Sequence, residues 1–204
     1  MFSESKNGIL CMHLPKVASQ SFKQALSVIN FEYSNEFHFI RELDPKKLDN
    51  YNFIFSFVRD PLDRLISSWR QSNFWKNFDQ YIDFLNTIDF SDYNLIQDAY
   101  KKIRQNIENY VIVHSIPQSF YFEINKKIYN KIFIGKFENL QSDYFEISER
   151  IKKIENLETP PLLHKNKSKF PDLEPCISIR SKILISKIYH MDYENFGYDI
   201  KKGA

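Results

Sequence analysis

Short apolar runs alternate with amphipathic segments along this chain. The runs at 9–12 and 53–58 and the stretch 131–140 have the character of buried strands that end in turns. Each is followed by a segment whose apolar residues recur at helical spacing. After the third strand, these apolar residues are Leu140, Tyr144, Ile147, Ile151 and Ile154. Because strands that alternate with helices form parallel sheets, the pattern predicts an α/β fold with ligands at the carboxyl ends of the strands.

The remaining pattern is mostly helical. Residues 74–92, rich in aromatic residues and asparagine, predict one or two helices packed over the sheet, with aromatic rings that could stack on sugars. Residues 93–110 predict a longer surface helix, and residues 177–191 predict another helix. Residues 31–50 are polar and irregular, and the Asp44-Pro45 step predicts a break there.

The turn between the first apolar run and its helix has the features of an anion site. It contains Lys16 and the small residues Ala18, Ser19 and Ser21. The first N–H groups of a helix lack intrahelical partners and lie at the positive end of the helix dipole, and small side chains let an anion approach them. Lys16 adds a full positive charge, so the turn predicts a site for a phosphate or sulfate group.

This turn differs from the phosphate loop of enzymes that bind nucleoside triphosphates. That loop needs the pattern G-x-x-x-x-G-K-[ST], and no glycine lies between Gly8 and Gly135. A nucleotide or sugar kinase with a degenerate P-loop is an alternative, and the missing glycine-lysine motif argues against it. Such a kinase would depend on ATP and magnesium.

The turn after the second apolar run repeats the arrangement. The run ends at Arg59, after which Asp60 can cap a helix and Pro61 can occupy its first turn. Arg59 and Ser67, two turns into that helix, could both contact a phosphate, and the planar guanidinium suits bidentate contacts with phosphate oxygens. Two anion sites at two such turns predict a ligand with two separated anionic groups.

Both turns carry a family resemblance. The stretches P-K-x-A-x-x-S-F, starting at Pro15, and F-x-F-V-R-D-P-x-x-R-L-x-S-x-W, starting at Phe55, are similar to motifs of the sulfotransferases that use 3′-phosphoadenosine 5′-phosphosulfate (PAPS), in particular the carbohydrate, or family 2, branch. The resemblance implies a P-loop-like, three-layer α/β/α fold with a central, mainly parallel sheet, formed by residues 1–204 as a single domain. It also implies transfer of a sulfuryl group from PAPS to a carbohydrate hydroxyl, with adenosine 3′,5′-bisphosphate (PAP) as product and no metal.

By position, the resemblance assigns the donor contacts to the two turns. The second motif would hold the 3′-phosphate of the donor through Arg59 and Ser67. The first motif would hold the 5′-phosphosulfate, and its residues are Lys16, Ala18, Ser19, Gln20 and Ser21. Many relatives have Gly-Thr or Gly-Gly where this chain has Ser19-Gln20, so this chain departs from the family pattern there.

Weaker similarities point to the acceptor side. F-H-F-I-R-E-L resembles the family segment that carries a histidine facing the acceptor, which makes His38 the first candidate for the general base and Arg41 a candidate acceptor contact. The segment at 114–118 resembles an H-x-x-P-Q segment that lies near the sulfuryl group in relatives. His114 is therefore a second candidate for the base, and His114 and Gln118 are candidate acceptor contacts.

Three further stretches have family counterparts. Residues 134–140 resemble V-G-x-F-E-N-L, and residues 192–198 resemble a closing D-x-x-x-F-G-Y signature. The basic stretch after Pro161 resembles an H-x-N-x-S loop that closes on the donor phosphates in relatives. Its candidate donor contacts are Asn166, Lys167 and Ser168.

The implied chemistry needs little covalent help from the protein, as in phosphoryl transfer. The acceptor hydroxyl would attack in line, while Lys16 and the N–H groups of its turn stabilise the charge on the bridging oxygen that leaves with PAP. A histidine base that takes the hydroxyl proton would contribute about 10²- to 10⁴-fold to the rate.

Length and charge fit one soluble domain. A chain of 204 residues can bury roughly 70% of the surface that its unfolded form exposes. The net charge of +2 gives no overall field that would draw the protein to nucleic acid. Residues 1–7 contain no apolar signal segment, and no stretch approaches the ~18 uncharged apolar residues of a membrane helix.

We therefore expect a cytoplasmic enzyme with a small-molecule or glycan acceptor, no nucleic-acid partner and no membrane insertion. The absence of an anchor and the Gly-poor, Ile-, Lys-, Asn- and Phe-rich composition are typical of a bacterial protein. The many Phe and Tyr residues leave a different class open, a non-catalytic glycan- or nucleic-acid-binding module. Steep salt dependence of binding without turnover would favour that class. The resemblance favours a sugar hydroxyl as acceptor, and the sequence leaves open an aryl or alkyl alcohol, a lipid-linked sugar or an amine. It does not define the oligomeric state.

Overall fold

The structure is a computed structural model that describes residues 1–34, 39–125, 127–162 and 175–200. The chain divides into two compact units, each made of two separate stretches. The first unit consists of Met1–Arg59 and Phe120–Lys165, and the second of Asp60–Ser119 and Asn166–Ala204. The single domain over residues 1–204 stays a prediction.

The strands and helices of the described ranges are as follows. The strands are β1 (Phe2–Glu4), β2 (Ile9–Met12), β3 (Glu32–Ser34), β4 (Phe53–Val58), β5 (Glu123–Ile124), β6 (Lys127–Ile128) and β7 (Ile132–Lys136). The helices are α1 (Ser19–Ser27), α2 (Pro45–Asp49), α3 (Pro61–Ser72), α4 (Phe78–Asn86), α5 (Tyr93–Lys101), α6 (Ile107–Ser115), α7 (Ser119–Phe122), α8 (Leu140–Glu155), α9 (Ile179–Ile188) and α10 (His190–Phe196). None of the helices in these ranges combines the length and apolarity needed to cross a membrane.

A five-stranded sheet in the order β3-β1-β2-β4-β7 belongs to the first unit. β2, β4 and β7 are parallel, with Met12 opposite Ser56 and Val58 opposite Lys136. β1 is antiparallel to both β2 and β3, so every strand of this sheet except β1 runs in one direction. The predicted α/β class with a central, mainly parallel sheet is confirmed.

The centre of the sheet is buried on both faces. Every residue of β2 and β4 is buried, which is typical of parallel strands covered by helices. α1 contributes Phe22, whose ring stacks on Phe57 of β4 with centroids 4.4 Å apart. α8 contributes Ile147 and Ile151, both fully buried. The helix predicted from the spacing of its apolar residues after the third strand is therefore confirmed as α8.

Gly135 in β7 leaves room for a ring of the neighbouring strand. A Cβ atom at Gly135 would lie 2.6 Å from Cε1 of Phe57, which is itself buried and stacked on Phe22. We expect Gly135→Ala to lower the free energy of unfolding by about 1–3 kcal/mol, since a packed core resists added volume. Thermal unfolding measures this as a fall in Tm of roughly 2–4 °C per kcal/mol in a chain of this size.

A Phe57→Leu background provides the control for this prediction. Leucine removes the ring that the new Cβ would meet, so Gly135→Ala should cost less in that background than in the wild type. An equal cost in both backgrounds would show that the glycine is needed for another reason.

The second unit is helical in the part of it that the structure describes. The single helix predicted over 93–110 is wrong, because α5 ends at Lys101 and α6 begins at Ile107. The side chain of Asn106 accepts a hydrogen bond from the N–H of Asn109 at 2.7 Å, and this cap begins a new helix. The helix predicted over 177–191 is likewise two helices, α9 and α10, which meet at Tyr189.

Candidate active site

Two cationic residues follow parallel strands at one edge of the sheet in the first unit. Lys16 lies in the turn after β2, and Arg59 directly follows β4. Because β2 and β4 pair in parallel, their carboxyl ends lie side by side, about 4.8 Å apart in the hydrogen-bonding direction. The structure therefore brings the Lys16 turn and Arg59 to the edge at which parallel sheets bind ligands.

The turn after β2 has a strained backbone. Lys16 and Ala18 have φ angles of 70° and 64°, in the left-handed region that residues with a Cβ atom rarely adopt. Each such residue costs roughly 1–2 kcal/mol, so other contacts must hold the turn. One of them is a hydrogen bond of 2.5 Å that the Ser19 hydroxyl donates to the carbonyl of Leu14 across the turn.

The turn ends in the first residues of α1. Ala18 is the N-cap, and its carbonyl accepts hydrogen bonds from the N–H groups of Ser21 and Phe22. N–H groups at a helix start, together with neighbouring turn conformations, form concavities that bind anions. Ser19 uses its hydroxyl within the turn, Gln20 is exposed and Ser21 is buried. The groups of this turn that can bind an anion are therefore mainly the N–H groups at the start of α1 and the Lys16 ammonium.

Arg59 is oriented by an aromatic ring. Its guanidinium carbon lies 4.4 Å from the centroid of Phe137, in the short 3₁₀ turn Phe137–Asn139 that follows β7. A cation held over an aromatic face gains electrostatic attraction and loses rotational freedom. Phe137 is a residue of the site that sequence reasoning missed, although it stands in the 134–140 stretch with a family counterpart.

The helix after Arg59 begins as predicted. Asp60 caps α3 by accepting a hydrogen bond from the N–H of Asp63 at 3.1 Å, and Pro61 is the first helical residue. Ser67 lies half-buried on α3 in the second unit. Its contact with a 3′-phosphate stays a prediction.

His114 lies on α6 with a defined tautomer. Its Nδ1 is 2.7 Å from the carbonyl oxygen of Tyr110, and its ring stacks on the Tyr110 ring with centroids 3.9 Å apart. A carbonyl only accepts, so Nδ1 carries the proton, and in the neutral ring Nε2 holds the lone pair. This arrangement would suit a general base acting through Nε2. The role of His114 stays a prediction.

Gln118 is fully buried and belongs to a network around Asp192 of α10. The N–H groups of Gln118 and Ser119 each donate to the Asp192 carboxylate at 2.7 Å. Burial raises the pKa of Asp192, and these two N–H groups oppose that shift. Direct contact of Gln118 with an acceptor would require these residues to move, and that role stays a prediction. Asp192 opens the 192–198 signature, so this signature holds the H-x-x-P-Q segment in place.

The same segment is fixed at two more points. Arg64 of α3, 1% exposed, donates from Nη1 to the carbonyl of Ile116 at 2.9 Å. The Tyr189 hydroxyl donates to the carbonyl of Ser115 at 2.6 Å. Buried side chains of α3, of α10 and of the junction between α9 and α10, all in the second unit, thus hold the backbone directly after His114.

The other candidate residues have these positions. Arg41 is exposed, with its guanidinium carbon 4.8 Å from the centroid of Phe39. His38, Asn166, Lys167 and Ser168 lie outside the described residues, and their roles stay predictions. Within the ranges that are described, no group of three or more His, Cys, Asp or Glu side chains is placed to hold a metal ion.

His13, which directly follows β2, is not suited to act as a base. It is 3% exposed, and its Nε2 lies 2.7 Å from the Ser3 hydroxyl. Burial, with a smaller contribution from the charge of Lys23, lowers the pKa of His13 to about 3. The ring is therefore neutral and enclosed, and its role is to pack β1 against β2.

Comparison with known proteins gives one match. No curated protein and no solved structure matches this chain. The model of the sulfotransferase family matches residues 1–199, which include both turns at the sheet edge and the stretches at 114–118, 134–140 and 192–198. This match confirms the family resemblance and the P-loop-like character of the fold. The chain belongs to the sulfotransferase family, in its family 2 branch.

Proposed function

We propose that this sulfotransferase moves a sulfuryl group from PAPS to a hydroxyl of a carbohydrate acceptor. Sulfuryl transfer itself follows from the family. One observation supports PAPS as the donor: two cationic residues, Lys16 and Arg59, follow adjacent parallel strands at one edge of the sheet. PAPS supplies the group to be transferred and has anionic groups at two positions, the 5′-phosphosulfate and the 3′-phosphate.

The residues at this edge fit such a donor. The start of α1 and the Lys16 ammonium would take the 5′-phosphosulfate, because both favour negative charge. The Arg59 guanidinium, supported by the ring of Phe137, would take the 3′-phosphate through its planar donors. Ser67 and, from the 163–170 stretch, Asn166, Lys167 and Ser168 complete the proposed donor contacts.

The proposed chemistry uses two groups of this chain. Lys16, in the turn that the Ser19 hydroxyl closes on the Leu14 carbonyl, stabilises the negative charge that develops on the bridging oxygen as it leaves with PAP. His38 or His114 removes the proton from the acceptor hydroxyl as that oxygen attacks sulfur in line. One bond from sulfur to the acceptor oxygen forms, and one bond from sulfur to the bridging oxygen breaks.

PAP should stabilise the folded protein far more than ADP does. At about 100 times its dissociation constant, a ligand that binds only the folded state adds about 2.7 kcal/mol, which is roughly 5–11 °C in Tm for a chain of this size. ADP lacks the 3′-phosphate and should give a much smaller shift. A thermal-shift titration with both nucleotides measures this difference.

Arg59→Ala is the matched variant for this titration. Loss of a charge-assisted contact of about 1.5–3 kcal/mol should weaken PAP binding about 10- to 100-fold. At the same PAP concentration, the rise in Tm should then be about half of its wild-type size or less. The Tm without ligand shows whether the variant is folded. Equal shifts with PAP and ADP, or a full PAP shift in Arg59→Ala, would contradict the proposed donor site.

A further inference from the structure

Tyr110 contacts His114, one turn later on α6, in two ways. The two rings lie nearly parallel, with centroids 3.9 Å apart and ring planes at 22°. The Nδ1 of His114 lies 2.7 Å from the carbonyl oxygen of Tyr110. One residue therefore contacts the imidazole both at a face and at an edge. None of the roles assigned above belongs to the Tyr110 ring.

The packing of α6 fixes the position of Tyr110. Both α3 and α5 pack against α6, and all three helices belong to the second unit. The hydroxyl oxygen of Tyr110 is buried, and the next residue, Val111, is fully buried. The Tyr110 ring is therefore a fixed surface on which the half-buried His114 rests.

Tyr110 acts on His114 as a neutral ring. Burial, with a smaller contribution from Tyr81, raises the pKa of Tyr110 to about 12, so the phenol keeps its proton near neutral pH. The face of a neutral aromatic ring attracts positive charge. A hydrogen bond or a proton accepted at Nε2 of His114 makes the imidazole more positive. The stacked Tyr110 face therefore stabilises His114 as it accepts.

The stacked ring also keeps the hydrogen bond at Nδ1 in place. Any residue at position 110 would supply the backbone carbonyl, but this carbonyl meets Nδ1 only while the imidazole keeps its orientation. A histidine ring can turn about its Cα–Cβ and Cβ–Cγ bonds, and stacking on Tyr110 opposes both rotations. The hydrogen bond made by one ring nitrogen decides which nitrogen carries the proton. The Tyr110 ring thus keeps the proton of neutral His114 on Nδ1 and the lone pair on Nε2.

We propose that Tyr110 is a positioning residue for sulfuryl transfer, which acts through His114; this inference rests on the proposed function and on the predicted acceptor role of His114. The Tyr110 ring holds the imidazole so that the acceptor hydroxyl donates to Nε2. The same ring stabilises the positive charge that the imidazole gains there. This holds whether His114 removes the hydroxyl proton or binds the hydroxyl while His38 removes the proton.

NMR of the histidine side chains tests the positioning without donor or acceptor. At a pH where its ring is neutral, His114 of the full chain should carry its proton on Nδ1, and the Tyr110 ring should shift its ring protons upfield. The His114 signals are those that are absent from His114→Ala. In Tyr110→Leu we expect the upfield shift to disappear and both tautomers to be populated. The signals of His13 and His190, which have other partners, should stay unchanged.

A double-mutant cycle tests whether Tyr110 acts through His114. Tyr110→Leu should lower kcat/KM for a carbohydrate acceptor about 2- to 10-fold, as expected for the loss of one aromatic pair. In a His114→Ala background the same change should have almost no effect, because no imidazole is left to hold. Tyr110→Phe keeps both the ring and the carbonyl, so it should restore the wild-type spectrum and rate.

Tyr93→Leu is the matched control. It makes the same exchange at a tyrosine of α5 whose hydroxyl accepts a hydrogen bond from the Gln97 amide at 2.7 Å. It should leave the His114 signals and the rate of transfer unchanged. The Tm of each variant shows whether it is folded. If Tyr110→Leu does not fold, Tyr110→Met takes its place, because methionine fills irregular spaces in a core.

Three outcomes would overturn the inference. They are a wild-type spectrum with the His114 proton on Nε2 or without the upfield shift, unchanged His114 signals in Tyr110→Leu, and an equal loss of rate from Tyr110→Leu in both backgrounds. The proposed function can fail separately, since the spectra need neither PAPS nor an acceptor. Altered spectra together with a wild-type kcat/KM in His114→Ala would refute the acceptor role of His114, and with it the role of Tyr110 in transfer.

Discussion

We expect Lys16→Ala to lower kcat for sulfuryl transfer by about 10²- to 10³-fold or more, the usual loss when one preorganised group that stabilises the developing charge is removed. The Lys16 backbone is in the left-handed region, and alanine carries the same Cβ atom, so the strain in the turn is unchanged. The effect should therefore come from the ammonium. Transfer of labelled sulfate from PAPS to an oligosaccharide acceptor measures it.

Two variants control for indirect effects at Lys16. Lys46→Ala removes an exposed lysine of α2 and should keep the wild-type rate. Lys16→Gly also removes the ammonium but relaxes the backbone, so it should be as inactive as Lys16→Ala and more stable. A near-normal rate in Lys16→Ala would show that the assigned mechanism is wrong.

The second large effect concerns the base. Replacing it should lower kcat by about 10²- to 10⁴-fold, while the PAP shift in Tm keeps its wild-type size. We expect this result from His38→Ala, because the family resemblance places a histidine facing the acceptor in that segment. The measurement is kcat at saturating acceptor, together with the PAP titration of the same variant.

His114→Ala and His190→Ala are the comparisons. His190 is exposed at the start of α10, with Nδ1 3.1 Å from the carbonyl of Lys187, and its loss should leave kcat unchanged. If His114→Ala shows the large loss and His38→Ala does not, the base is His114 acting through Nε2. A small effect in both would remove the histidine base from the mechanism.

The sequence alone predicted those parts of the site that depend on residues close together in the chain. An apolar run followed by Lys16, and another followed by Arg59, Asp60 and Pro61, predicted two strand-to-helix turns, and the structure has both. The alternation of strands with helices along the chain predicted a parallel sheet, and the parallel pairing of β2 with β4 confirms it. These features follow from local periodicity and capping.

The sequence did not reveal features that depend on distant partners or on backbone strain. Positive φ angles usually coincide with glycine, and here they occur at Lys16 and Ala18, which carry no such signal. Phe137 supports Arg59 from another strand end. Asp192 binds the N–H group of Gln118, far away in the chain, and neither residue type indicates that pairing. The break between α5 and α6 was visible in principle, because Asn106 is a good N-cap.

The pairing of β4 with β7 also affects how the protein folds. Ile54 pairs with Ile132, whereas β1 and β2 pair within the first residues of the chain. Contacts between residues so far apart form slowly, because the intervening chain must lose its freedom first. On the ribosome, Lys16 and Arg59 emerge long before the strand that leads to Phe137. The nascent chain therefore carries both cationic turns for some time before the strand and the ring that complete this edge have been synthesised.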